Sequence, residues 1–266
     1  MNKQKRFNQI VKDIKNVKIQ GARNIAKAAL IAYNLIPTKT SKKKLLFLRP
    51  TEPMMENIID MAEKGKSINE INKHLTSSQE KINKDVFKII KNNDVVFTHC
   101  HSTNVVNALI YTKKRGKKFS VYNTETRPLF QGRKTASELK KAGIKVTFSI
   151  DSAMKQVIDK SDIIFLGADA ILKKGVINKI GSGLIAETAR DNIGKKIPVY
   201  IVADSWKFTN SKVPIENRKL NEVWDKAPKD IKIKNPAFEF IPKQYIKAII
   251  SELGTLSYND FLKKVG

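Results

Sequence analysis

The stretch D-V-V-F-T-H-C-H-S-T-N, residues 94 to 104, decides how the chain is read. An apolar, β-branched run stops abruptly in polar residues, and Ser102-Thr103 stand where a following helix would be capped. The rhythm repeats downstream. K-F-S-V-Y (118 to 122), I-K-V-T-F-S-I (144 to 150), D-I-I-F-L-G (162 to 167) and I-P-V-Y-I-V-A (197 to 203) alternate with helical patterns at 103 to 115, 133 to 143, 152 to 160 and 183 to 194. Strands joined by crossovers of about ten or more residues pair in parallel, and right-handed crossovers then give a doubly wound sheet.

Upstream the period is helical. Ala22, Ile25, Ala26, Ala29, Leu30 and Tyr33 recur at three- and four-residue steps, with Arg23 and Lys27 off that face. Ser67 can cap a second amphipathic segment carrying Ile68, Ile71, Leu75, Ile82, Val86, Ile89 and Ile90, and a short apolar run, L-L-F-L at 45 to 48, interrupts the region before Arg49-Pro50. The expected fold is α/β: an N-terminal, mainly helical domain (1–91) followed by a Rossmann-like α/β domain (92–266) with a doubly wound, mostly parallel sheet.

Composition narrows the class. The chain has 266 residues, 41% hydrophobic and 29% charged, which fits a globular protein rather than a disordered one. No apolar run approaches the roughly 20 residues needed to span a bilayer, so the expectation is a cytoplasmic protein without membrane contact. One cysteine excludes an intramolecular disulfide framework. The net charge of +26 favours anionic partners, nucleic acid or phosphorylated metabolites. Because the lysines are spread along the chain, with only short clusters at 42–44 and 113–118, a general lysine-rich composition explains the excess equally well.

Doubly wound sheets bind ligands beyond the C-terminal ends of their strands. Those ends are expected to present Cys100, Glu125, Arg127, Asp151 and Asp169 to one crevice. A metal there fails on ligand count: zinc wants three or four ligands, His99 and His101 would point away from Cys100 in an extended segment, and the remaining histidine, His74, lies far upstream. Cys100 is either a buried structural thiol or a functional one whose pKa is depressed by amides at the next helix N-terminus, which could equally bind phosphate. Asp169 is either a solvated loop carboxylate or an enclosed acid able to donate a proton at neutral pH. G-V-I-N-K-I-G-S-G (175 to 183) is read as a phosphate-binding turn or a flexible link, with Lys179 as its cation. Arg23, Arg49, Arg127, Arg133, Lys179 and Lys207 lie near turns, and with a thiol and an acid at strand ends they suggest a small anionic substrate.

T-H-C-H-S-T-N, E-T-R-P-L-F-Q-G-R, F-L-G-A-D-A and V-I-N-K-I-G-S resemble, in this order, signature segments of the family uniting sugar-phosphate isomerases with the regulatory subunits of translation initiation factor 2B. Q-G-A-R-N-I-A-K-A-A and L-R-P-T are similar to its N-terminal elements. The isomerases carry a catalytic cysteine and aspartate at the positions of Cys100 and Asp169. H-C-H-S and G-A-D-A resemble the archaeal ribose-1,5-bisphosphate isomerase branch more than the methylthioribose-1-phosphate isomerases, whereas S-W-K-F (205 to 208) resembles the regulatory subunits. The N-terminal region is compact even for the family, and the link from Asp169 to Asn178 is one residue short. The resemblance implies conversion of α-ribose 1,5-bisphosphate to ribulose 1,5-bisphosphate without metal or cofactor, with Asp169 as acid and Cys100, as thiolate, as base. It implies substrate contacts from Gly21, Ala22, Arg23, Arg49, Ser102, Thr103, Asn104, Glu125, Arg127, Asn178, Lys179 and Lys207. It also implies a homo-oligomer, a dimer or a hexamer built as a trimer of dimers, and raises AMP as an activator. The alternatives are a non-catalytic initiation-factor-like subunit and a methylthioribose-1-phosphate isomerase.

Overall fold

The computed structural model describes residues 2–19, 21–191 and 195–266. Five helices come first: α1 Lys3–Lys15, α2 Ala22–Leu35, α3 Lys39–Leu48, α4 Pro53–Glu63 and α5 Ile68–Ile89. The expected apolar face of α2 is buried throughout, from Ala22 to Tyr33. Ser67 caps α5 in a reciprocal box with Glu70, satisfying two otherwise orphaned backbone donors. L-L-F-L is the end of α3 and not an interruption: Leu45 enters the helical core while Phe47 stays 85% exposed. α5 serves two cores. Its Ile71 and Leu75 pack with α1, α2, α3 and α4, whereas Ile82 and Val86 pack under the sheet that follows.

That region runs β1 Val95–Thr98, α6 Thr103–Lys114, β2 Ser120–Thr124, α7 Gln131–Lys141, β3 Lys145–Ser149, α8 Met154–Ile158, β4 Ile163–Leu166, β5 Ala170–Leu172, β6 Gly175–Lys179, α9 Ser182–Arg190, β7 Val199–Val202, β8 Phe238–Pro242, β9 Ala248–Ser251, β10 Gly254–Leu256 and α10 Tyr258–Val265. The main sheet has the order β10-β9-β7-β4-β1-β2-β3 and is parallel except for β10. All five strands expected from the sequence fall in it. The strand order reverses between β1 and β4, so the switch point lies beyond Thr98 and Leu166. Of the expected helix at 183 to 194, the last three positions lie outside the described residues, as does Gln20 of Q-G-A-R.

A second, antiparallel sheet, β5-β6-β8, corrects the reading of the glycine-containing stretch. G-V-I-N-K is a fully buried strand rather than a flexible link, and the turn is confined to Ile180 and Gly181, ahead of α9. The short link from Asp169 closes as a hairpin, with Leu172 opposite Gly175. Gly175 is needed there, because a Cβ would stand 2.1 Å from the Ile241 carbonyl.

The segment after β7 is tied to the N-terminal helices. Asn57 donates to the carbonyls of Trp206 (2.8 Å) and Phe208 (3.1 Å), Thr51 donates to that of Pro214 (2.7 Å), and His74 stacks on Trp206 with centroids 3.6 Å apart. Among the described residues no helix is long and apolar enough to cross a membrane.

Candidate active site

At the switch point a partly open cavity of about 100 Å³ lies between the strand ends and the N-terminal helices. Gly21, Ala22 and Arg23 enter it from the start of α2, Arg49 from the end of α3, Cys100, Ser102, Thr103 and Asn104 from the β1–α6 turn, Asp169 from the exit of β4, Asn178 and Lys179 from β6, and Lys207 from the turn after β7. The starts of α2 and α6 face each other: a Cβ on Gly21, whose φ is +83°, would lie 3.9 Å from Thr103 Oγ1. Two helix N-termini and the cationic side chains of Arg23, Arg49, Lys179 and Lys207, joined by Arg218, therefore address one small volume, an arrangement suited to phosphate groups.

Cys100 has φ +62°, a left-handed conformation uncommon for a side chain with a Cβ. Two threonines hold it there: its N–H donates to Thr126 Oγ1 (3.0 Å), and Thr135 Oγ1 donates to its carbonyl (2.7 Å). The turn places the half-buried cysteine in the cavity lining. Burial pushes the thiol up to about 11, with Lys179 the main opposing charge. The expected depression by helix amides is thus corrected: desolvation of the thiolate outweighs it. His99 is buried, its Nε2–H donating to the Ile180 carbonyl (3.0 Å) and its Nδ1 bonded to Thr124 Oγ1 (2.7 Å), and burial lowers its pKa. His101 pairs with Glu138 at 3.2 Å. Among the described residues, the cluster spaced for metal ligation is His74, Asp204 and Glu252, which excludes Cys100.

Glu125, Arg127 and Asp151 are not brought to the cavity lining, a correction to the strand-end expectation. Glu125 faces Arg133 at 3.7 Å, Arg127 donates to the Val223 carbonyl (3.0 Å) and stacks on Phe130, and Asp151 accepts the Thr126 and Arg127 amides (2.9 and 2.7 Å). Arg133 likewise stacks on Phe130. The loop reaches the cavity lining with Leu129 and Gln131 instead, while Thr126 braces Cys100 from behind. Gly132 lets α7 approach, since a Cβ would sit 1.7 Å from the Thr124 carbonyl.

Asp169 stands at the junction of the two sheets, its N–H donating to the Ile177 carbonyl (2.8 Å). Burial raises its pKa, opposed first by Lys207 and then by Arg49 and Lys179. Lys207 Nζ donates to the Ala168 carbonyl (2.5 Å), next to Asp169. Gly167 permits this closeness: a Cβ there would meet Ser102 Oγ at 2.7 Å. Arg23 Nη1 donates to Gln79 (3.1 Å), which also bonds Asn104, so α5 links the starts of α2 and α6. Glu52 and Arg218 line the cavity too. Neither was singled out in the sequence. Glu52 directly follows L-R-P-T, but an acidic residue at a helix start is ordinary, and Arg218 lies in a long segment without periodicity.

A doubly wound α/β protein with a thiol, a carboxyl and a cationic anion cradle at its switch point is the class these features define. The chain belongs to the Initiation factor 2 subunit family, whose sequence model matches residues 12–258. It is 32% identical to the ribose 1,5-bisphosphate isomerase of Archaeoglobus fulgidus over 91% of this chain and 87% of that protein, and 34% identical to that of Methanocaldococcus jannaschii over 91% and 89%. Among solved structures, translation initiation factor eIF-2B of Pyrococcus horikoshii superposes with a TM-score of 0.83 at 25% identity, covering 95% of this chain and 97% of that one.

Proposed function

We propose that the chain is an aldose–ketose isomerase of sugar phosphates and that its substrate is α-ribose 1,5-bisphosphate, converted to ribulose 1,5-bisphosphate. The observation that carries this reading is the placement of Cys100 and Asp169 in one cavity with Arg23, Arg49, Lys179 and Lys207. The similarity to archaeal ribose 1,5-bisphosphate isomerases over nine-tenths of the chain supports the substrate.

The chemistry follows from the two groups. C1 of the sugar carries phosphate, so the furanose must open with that phosphate in place. Asp169, whose pKa burial raises, donates a proton to the ring oxygen as Cys100, reacting through the small thiolate fraction that burial leaves it, takes the C2 proton. The C1–O4 bond breaks and an enol phosphate remains. The C2 hydroxyl proton returns to Asp169, Cys100 delivers its proton to C1, and both groups end as they began. Ser102, Thr103 and Asn104 at the α6 start, Gly21 and Ala22 at the α2 start and Asn178 orient the ligand, and the cations hold its phosphates.

The purified chain, given α-ribose 1,5-bisphosphate and followed by phosphorus and proton NMR with and without AMP, should produce ribulose 1,5-bisphosphate. Cys100→Ser and Asp169→Asn should each abolish turnover while the fold survives. Absence of turnover under both conditions would instead favour a binding subunit of the initiation-factor kind, and turnover of methylthioribose 1-phosphate alone would reassign the substrate. A homo-oligomeric assembly belongs to the same proposal and is tested by light scattering.

A further inference from the structure

Glu52 is an anomaly in a cavity otherwise furnished for anions. It occupies the N-cap of α4 yet makes no capping hydrogen bond. Its side chain turns into the cavity, where the residue is only 3% exposed. Oε1 lies 3.6 Å from Arg49 Nη2, while Oε2 is buried with no hydrogen-bond partner among the described residues. A buried polar atom without a partner costs about 1–3 kcal/mol, so its retention points to a ligand group that completes it. Arg49 does not depend on Glu52, since its Nε donates to Glu216 Oε2 at 2.9 Å.

The chemistry of that ligand group can be narrowed. A phosphate dianion offers acceptors only and is served by Arg23, Lys179 and Lys207. A hydroxyl offers both a donor and an acceptor and fits a carboxyl in either protonation state. Burial and the nearby Asp169 push the Glu52 carboxyl up to about 8, so both states are populated near neutrality.

We infer that Glu52 binds a hydroxyl of the sugar, making it a residue that distinguishes a sugar bisphosphate from a hydroxyl-free bisphosphate of similar length. The inference rests on the cavity being the sugar-bisphosphate site. It is tested by calorimetry on the whole chain with two probes: ribulose 1,5-bisphosphate, and pentane-1,5-diyl bisphosphate, which has the phosphates but no hydroxyls. Glu52→Ala should weaken the first about 10- to 100-fold and change the second less than about twofold. Glu52→Gln, which keeps a hydrogen-bonding group of the same shape, should recover part of the loss. Retained binding of the hydroxyl-free probe certifies that each variant is folded. Equal losses for both probes, or no loss for either, would overturn the assignment, as would failure of the unmodified chain to bind ribulose 1,5-bisphosphate. If the unmodified chain shows the hydroxyl-dependent pattern but does not isomerise the sugar, the enzymatic reading falls and the Glu52 assignment stands.

Discussion

The state of Cys100 can be measured directly, because it is the chain's single cysteine and any alkylation reports on it alone. Burial pushes the thiol up to about 11, and Lys179, itself 5% exposed, is the leading charge that holds it down. At pH 8 such a thiol is only ~0.1% thiolate. The logarithm of the iodoacetamide rate should then climb by one for each pH unit from 7 to 10, with no plateau. Lys179→Met keeps most of the apolar stem and removes the charge, raising the thiol further. A more basic thiolate is also more nucleophilic, with a Brønsted slope of about 0.4–0.5, so each tenfold fall in thiolate at fixed pH should lower the rate only about threefold. The urea-unfolded chain supplies the reference rate. A plateau below pH 9 in the folded protein, or a Lys179→Met rate equal to the unmodified one, would refute the view that desolvation and Lys179 together set this thiol.

Glu52→Gln should stabilise the unliganded protein increasingly as pH rises. The folded carboxyl titrates near 8 and the unfolded one near 4.5, so the native state must hold a proton that the unfolded state has released, at a cost reaching a ceiling of about 5 kcal/mol; equal melting-temperature differences at pH 5 and pH 8 would contradict this. Thr126→Val leaves the Cys100 N–H without its acceptor and should lower kcat about tenfold with little change in KM, at about 1–3 kcal/mol of stability. An unchanged kcat would remove Thr126 from the support of the thiol. Gly167→Ala forces a Cβ against Ser102 and should cost about 1–3 kcal/mol in thermal or urea unfolding together with loss of substrate affinity; a variant as stable and as tight-binding as the parent would show that the β4 exit and the α6 start are not in register as described.

Five of the seven strands of the main sheet were legible because buried parallel strands read as short continuous apolar runs, β4 being the clearest instance, whereas β9, equally buried, and the short edge strand β10 were missed. The second sheet was hidden: β5 is three residues long, and β6 pairs with β8 some sixty residues later, a partnership that no local pattern encodes. The site was legible by position and less so by side chain. Strand-end logic located the turns carrying Cys100 and Asp169, but it could not tell which residues of E-T-R-P-L-F-Q reach the cavity: Leu129 and Gln131 line it, Thr126 braces the Cys100 backbone, and the more conspicuous Glu125 and Arg127 do neither. The direction of the Cys100 shift was missed for a related reason. Helix amides can be anticipated from a cap motif, whereas burial depends on what the rest of the chain places around it.

α5 carries a consequence for how the molecule can be divided. At 22 residues it is a rod of about 33 Å, and its two ends belong to different cores. A cut after residue 91 would respect the change of secondary-structure rhythm yet strip Ile82, Val86 and Ile90 from the sheet they cover, while a cut ahead of α5 would take Ile71 and Leu75 from the helices. Either fragment would present an unpaired apolar stripe to solvent. The two halves are therefore expected to melt in one transition, and a rearrangement that opens the cavity must bend this helix or carry it as a lever.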